Sequence, residues 1–225
     1  MSDQVLPSTL ISNFDEQYYL KLPQIFYKSA KAYLDHKEIK KIQKAYTFAF
    51  YSHDGQQRRD GSKYITHPVE VAKILLDLRM DPDTICAALM HDVLEDCDVN
   101  KNNLVKLFGE DVAEIVDGVS KLGKLDINAR IDADANNLQK MMLAMSKDVR
   151  VVLVKICDRL HNMRTIEHLP RSKQIKKSKE TIDLYGPLAL RIGMQDIRSE
   201  LEDLAFRCIH PLRASMLESA IKKSS

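Results

Sequence analysis

The stretch Ile85-Cys-Ala-Ala-Leu-Met-His-Asp-Val-Leu-Glu-Asp96 constrains the fold more than any other part of the chain. It turns abruptly from apolar to acidic, with an imidazole and three carboxylates inside His91–Asp96. Asp81-Pro82-Asp83 ahead of it reads as a helix start. Asp81 can cap, Pro82 fits the first turn, and Asp83 suits the positive end of the helix dipole. On one helix running through Asp96, the residues Ile85, Ala88, Leu89, Asp92 and Asp96 share a face. The stripe that should face the core therefore ends in two carboxylates, with His91 and Glu95 beside it. Ionised carboxylates do not tolerate burial without compensation. Buried Arg or Lys, shared protons or a metal ion must neutralise them. A solvated helix end is the ordinary explanation of a lone His-Asp pair, but here it would have to account for acids that continue an apolar stripe.

The chain has 225 residues, enough for one sizeable domain or one domain with terminal extensions. With 44% hydrophobic and 29% charged residues it is ordinary for a soluble globular protein. A formal charge of +2 demands neither a nucleic-acid nor a membrane partner. Only 7 glycines and long stretches at 3.6 spacing favour helices over sheets. Cys86, Cys97, Cys157 and Cys208 show no metal-knuckle or disulfide-framework spacing. With no signal-peptide pattern and no apolar run near the ~20 residues that span a bilayer, a cytoplasmic protein with reduced thiols is expected.

Along the chain we expect an N-terminal helical extension over 1–36, a main domain over 37–210 and a C-terminal helix or tail over 211–225. The extension should pack Tyr18, Tyr19, Leu22, Phe26 and Tyr27 on the main domain behind a flexible tail of about ten residues. Helices are predicted from about Lys37 to His53, from Pro68 through Leu78 with Val71, Ile74, Leu75 and Leu78 inward, and from Asn103 to Phe108 with Gly109 as the stop. A further helix spans Asp111–Val119. Lys121–Asn137, with Asp126, Asp132 and Asp134, reads as a mobile loop. Asn137–Ser146 should be helical, with Leu138, Met141, Met142 and Met145 as core. Val149–Cys157 has strand-like composition, but without a strand to pair with it reads as the buried start of a helix reaching Ile166. Arg171–Lys179 reads as a solvated basic face leading into helices over Thr181–Arg191 and Gln195–Cys208. Gly186-Pro187 should bend the first of these, and Gly193 should separate the two.

The second chemically loaded stretch is Asp158-Arg-Leu-His-Asn-Met-Arg-Thr165. On a helix Asp158, His161, Asn162 and Thr165 share one face, and the apolar turn before them places Asp158 near the interior. His67 stands at a helix N-terminus after Tyr64-Ile-Thr. His67, His91, Asp92 and Asp158 thus offer two imidazoles and two carboxylates from three separated places. That mixed set suits Mn²⁺, Fe²⁺, Ni²⁺, Co²⁺ or Zn²⁺ rather than Ca²⁺.

The order His…His-Asp…Asp resembles the HD metallophosphohydrolase superfamily. Tyr64-Ile-Thr-His-Pro68, His91-Asp-Val-Leu-Glu-Asp96, Val119-Ser-Lys-Leu122, Asp158–Thr165 and Tyr185-Gly-Pro-Leu-Ala189 together resemble the hydrolase domain of the Rel/Spo stringent-response enzymes, over roughly Lys37 to Phe206. The resemblance implies an all-α HD-domain helical bundle and one Mn²⁺ per chain. It also implies hydrolysis of guanosine 3′,5′-bis(diphosphate), ppGpp, and of pppGpp to GDP or GTP and pyrophosphate. Carried over by motif, the metal ligands are His67, His91, Asp92 and Asp158. The catalytic acidic pair falls on Glu95 and Asp96, and its polar partner on Asn162. The guanine-holding loop falls on Arg58 and Arg59, and Thr165 lies near the nucleoside. Lys121, Lys124, Arg159 and Arg164 are candidate counter-charges for the phosphates. Ser62-Lys63 stands where the family has Glu-Pro, and Leu190 where it commonly has histidine. The family's synthetase half normally follows this domain, so a chain ending soon after Cys208 should hydrolyse without synthesising, as a small alarmone hydrolase does. Two other readings follow from the same residues: an HD enzyme acting on NADPH or a deoxynucleotide, and a ppGpp-binding module without turnover.

Overall fold

A computed structural model of the chain describes residue 16 and residues 19–123 and 147–224. The expected tail, Tyr18, Lys124, the Asp126–Asp134 acidic cluster and the Leu138–Met145 helix lie outside the described residues. Among the described residues every regular element is helical, and the β-type pairing is an isolated antiparallel bridge between Gln57 and Lys63.

Helix α1 (Gln24–Lys31) follows Pro23 and buries Phe26 and Ala30 against the body of the protein. Tyr27 stays exposed. Helix α2 (His36–Ser52) starts on a reciprocal cap, Asp35 accepting from the Glu38 amide and Glu38 from the Asp35 amide, each at 2.8 Å. Helix α3 (Thr66–Asp77) carries His67 and Pro68 in its first turn. Helix α4 (Pro82–Leu89) is capped by Asp81, which accepts from the Asp83 and Thr84 amides. A short helix α5 (Val93–Asp96), α6 (Lys101–Phe108) and α7 (Glu110–Gly123) follow. Helix α8 (Val149–Arg164) leads through a 3₁₀ turn (Ile166–His168) to α9 (Arg171–Glu180). A π-helical turn (Thr181–Tyr185) joins α9 to α10 (Gly186–Arg191), and α11 (Gln195–Ile209) and α12 (Pro211–Ser224) complete the chain.

Helix α4 is the hub. Thr84 through Leu89 are all buried, and α2, α3, α7 and α8 pack around them. An isolated helix of eight residues would be marginal in water. Burial of side chains such as Ile85 and Leu89, at about 1.5–3 kcal/mol each, holds it instead. Helices α7 and α8 meet at Gly118, where an added Cβ would lie 2.7 Å from Val151 Cγ2. Gly118→Ala should therefore push the two helices apart and destabilise the protein by about 1–3 kcal/mol. A drop in melting temperature measured by circular dichroism, with the helical signal unchanged at low temperature, checks this.

Five expectations need correction. The Asp81–Asp96 segment is not one helix: α4 stops at Leu89, Met90 to Asp92 form a turn, and α5 restarts at Val93. Asp92 and Asp96 therefore do not continue the α4 stripe. Leu78 is 42% exposed, because α3 ends at Asp77 and the chain reverses through Arg79 at φ +53°. Val149 is also 42% exposed, so the buried run of α8 begins only at Val151. Arg171–Glu180 is itself a helix, and Lys121 belongs to α7 rather than to a loop.

Candidate metal centre and its cavity

Three places in the bundle aim side chains at one point. The first turn of α3 contributes His67, the turn between α4 and α5 contributes His91 and Asp92, and the middle of α8 contributes Asp158. His67 Nε2 lies 3.2 Å from Asp158 Oδ1 and 3.8 Å from Asp92 Oδ2. His91 Nε2 lies 3.1 Å from Asp92 Oδ2 and 3.8 Å from Asp158 Oδ1. One ligand atom each from His67, His91 and Asp158 fit within 4.8 Å of one another.

The donor set suits a divalent metal ion, and the hydrogen bonding favours one. His91 Nδ1 sits 2.7 Å from the Ala88 carbonyl, an oxygen that can only accept. His91 Nδ1 therefore donates, and in the neutral ring Nε2 presents a lone pair toward two carboxylates. Nε2 is buried and has no hydrogen-bond partner. A cation between these groups turns mutual repulsion into shared coordination.

Without a metal, protons and a lysine do the neutralising. Burial alone would lower the His91 imidazole, but Asp92 and Asp158 outweigh it and raise the pKa to about 9. Burial would raise the Asp158 carboxyl, yet Lys155, with Nζ 3.0 Å from Oδ2, and the two imidazoles hold it well below the usual range. Asp92 is held low, against burial, mainly by His91. Burial lowers His67. His91 has its folded pKa above the ordinary 6.5. Its contribution to stability is full below pH 6.5 and is lost as the pH rises toward about 9. In chelator-treated protein this should amount to up to about 3 kcal/mol, read as a falling denaturation midpoint across that window. Saturating divalent metal should flatten the profile.

A cavity of about 440 Å³ opens over the centre, lined by His67, Asp92 and Asp158. Arg58, Arg59, Arg159, Asn162 and Thr165 line it as well. Asn162 Nδ2 donates to Asp158 Oδ1 at 2.6 Å. Arg58 Nη2 donates to Thr165 Oγ1 at 3.2 Å, joining two residues far apart in sequence. Ser62 holds the Arg58 loop closed, its amide and hydroxyl both donating to Asp60 Oδ1. Gly61 takes φ +83° at the turn. Arg159 is 6% exposed, lies 4.2 Å over the Tyr185 ring and donates to Glu180 at 3.1 Å, while its buried Nη1 has no hydrogen-bond partner.

Other candidates lie further off. Asp96 is exposed but linked to the centre: the Tyr64 hydroxyl lies 2.9 Å from Asp96 Oδ2 and 2.7 Å from Asp92 Oδ2. Glu95 is exposed and does not line the cavity. Lys121 is not in the lining either; its ammonium pairs with Asp117 at 2.7 Å. Arg164 is held outside the cavity by two hydrogen bonds to Glu200. Leu190 is exposed on α10, away from the cavity lining.

Several cavity or linking residues were not anticipated. Tyr64 bridges the acids, Lys155 pairs with Asp158, and Lys177 and Tyr185 line the cavity. A lysine inside the apolar Val149–Cys157 run was a visible signal for Lys155, since a buried cation calls for a buried anion within a helical turn. Lys177 had no such mark, being one of many basic residues on α9.

Comparison with known proteins places this geometry in a family. The HD domain model matches residues 45–195, a span that takes in His67, His91, Asp92, Asp158 and Asn162. The chain belongs to the HD-domain family. This HD domain is 47% identical over 193 residues to a guanosine-3′,5′-bis(diphosphate) 3′-pyrophosphohydrolase of Vibrio cholerae, covering 86% of this chain and 27% of the relative. It is 44% identical over 192 residues to the bifunctional (p)ppGpp synthase/hydrolase SpoT of Escherichia coli, covering 85% and 27%. The chain thus spans about a quarter of the length of these relatives. A solved metazoan ortholog of SpoT, described as hydrolyzing ppGpp, matches the HD domain with a TM-score of 0.58 at 23% identity. The match covers 76% of this chain and 97% of that one, and at this identity the likeness is one of fold. No helix among the described residues is long and apolar enough to cross a membrane.

Proposed function

We propose that this HD domain hydrolyses ppGpp and pppGpp with Mn²⁺, releasing pyrophosphate and leaving GDP or GTP. The observation that carries the reading is the convergence of His67, His91, Asp92 and Asp158 beneath a cavity that also exposes Arg58, Arg59, Lys155, Arg159 and Lys177. A substrate with two diphosphates needs that much positive charge. The names and identity of the bacterial relatives support the same substrate.

His67, His91, Asp92 and Asp158 would hold the metal. A divalent ion there supplies Lewis acidity toward a phosphoryl oxygen and makes water a better nucleophile near neutral pH. Water attacks the phosphorus bonded to the ribose 3′ oxygen and gives up a proton, that P–O bond breaks, and the 3′ oxygen takes up a proton from an acid that the water's proton restores. The link from Asp96 to the centre through Tyr64 supports Asp96 as the proton donor, with Glu95 on the same turn as its partner in the acidic pair. Asn162, fixed on Asp158, orients the water or a phosphate oxygen. Arg58 and Arg59 hold the guanine, with Thr165 bracing Arg58 beside the nucleoside. Arg159 and Lys177 counter the phosphates, and Lys121 does so only after leaving Asp117. We read 37–210 as the catalytic unit, with 1–36 and 211–225 as extensions. The cytoplasm is the compartment that suits its substrate and free cysteines.

The test is pyrophosphate release by purified protein with Mn²⁺, from ppGpp, pppGpp, NADPH and deoxynucleotides in parallel. Turnover of ppGpp that disappears on chelation is expected. Turnover of another nucleotide alone would replace the substrate, and binding of ppGpp without turnover would make the domain a receptor.

A further inference from the structure

His161 is buried beside the candidate metal centre and does not line the cavity. Its Nδ1 lies 2.7 Å from Nδ1 of His67, and the two rings are 4.9 Å apart, centroid to centroid. A contact that short between two ring nitrogens requires one proton between them, carried by one ring and accepted by the other. Its direction decides whether His67 can bind a cation. If His161 donates, neutral His67 carries its own proton on Nε2, where it meets Asp158 Oδ1 at 3.2 Å and no lone pair faces the centre. If His67 donates from Nδ1, its Nε2 lone pair faces Asp92 and Asp158. His91 solves the same problem with a backbone carbonyl that can only accept. His67 has instead a side chain, three residues beyond Asp158 on the same face of α8.

We propose that His161 is a positioning residue that accepts the His67 Nδ1 proton and so fixes the tautomer and ring angle in which His67 Nε2 can coordinate a divalent metal. The inference rests on reading His67 as a ligand. Outer hydrogen-bond partners of this kind are worth roughly 10–100-fold in metal affinity. Thr165 Oγ1 donates to the His161 carbonyl at 3.2 Å and accepts from Arg58, so the acceptor is itself held in place from the cavity side.

The experiment compares wild type, His161→Phe and His161→Asn by calorimetric titration of the metal-free proteins with Co²⁺, and by the visible absorption of the Co²⁺-loaded forms. Asn can place an oxygen where Nδ1 was. His161→Phe should weaken Co²⁺ by roughly 10–100-fold and change the absorption envelope, and His161→Asn should recover most of both. Equal affinity and equal spectra in all three proteins would overturn the proposal while leaving the metal site intact. A wild type that binds no Co²⁺ would overturn the proposal and the metal reading together. Should His161→Phe fail to fold, long-range proton–nitrogen NMR of Zn²⁺-loaded wild type decides. A proton on His67 Nδ1, with none on His161 Nδ1, is expected; a proton on His161 Nδ1 overturns the assignment.

Discussion

Replacing Asp158 with alanine should abolish divalent-metal binding and destabilise the protein by about 3–5 kcal/mol, the cost of leaving a buried charge without its partner. Asp158 is the most heavily used side chain of the centre. Its Oδ1 accepts from Asn162 at 2.6 Å and faces both imidazoles, while its Oδ2 pairs with Lys155 at 3.0 Å. The Lys155 side chain is only 16% exposed, so water reaching it through the cavity replaces little of the lost carboxylate. Metal affinity should fall more than the roughly 100-fold that losing an outer-sphere partner costs, and the proposed ppGpp hydrolysis should go with it. The two losses separate in a double variant. Adding Lys155→Met to Asp158→Ala removes the stranded cation, so most of the stability should return while metal binding stays absent. Urea denaturation and Co²⁺ titration of the single and double variants read the two effects independently. Full metal affinity in Asp158→Ala would remove this residue from the centre.

Much of the fold was legible because local chemistry and tertiary structure agree. Asp81-Pro82 opens α4, Gly109 ends α6 at φ +93°, and the helical face of Asp158, His161, Asn162 and Thr165 is carried by α8 and its end. Legibility stops where packing overrides period. Nothing in Leu89-Met90-His91-Asp92 signals a break, since no Gly or Pro is present. The turn is favoured by contacts a sequence does not display: His91 Nδ1 closes on the Ala88 carbonyl, and Asp92 turns to meet His67 and His91. The cations divide in the same way. Asp117 and Lys121 are four apart on a helix, so their pairing was open to view. Arg164 and Glu200 are 36 residues apart, and only the docking of α11 on α8 brings them together.

The acidic pair on α5 should prove unequal. Asp96→Asn should lower kcat by about 10²–10⁴, the usual worth of a positioned acid or base, and Glu95→Gln should lower it by much less. Both carboxylates are exposed in sequence neighbours of one short helix, so exposure does not distinguish them. Connection does. The Tyr64 hydroxyl reaches Asp96 and the candidate ligand Asp92 at once, and Gln56 Nε2 donates to the Asp96 carbonyl at 2.9 Å. Tyr64 can donate one hydrogen and accept another, so Asp96 belongs to a chain of exchangeable protons ending at the centre. Tyr64→Phe keeps the ring stacked on His53 and cuts that chain. It should therefore reduce kcat in the same direction as Asp96→Asn, and combining the two should add little. Co²⁺ affinity should stay near wild type in Asp96→Asn and Glu95→Gln, separating proton handling from metal loading. A Glu95→Gln enzyme slower than Asp96→Asn would transfer the acid's role to Glu95 and reduce the Tyr64 bridge to a structural clamp.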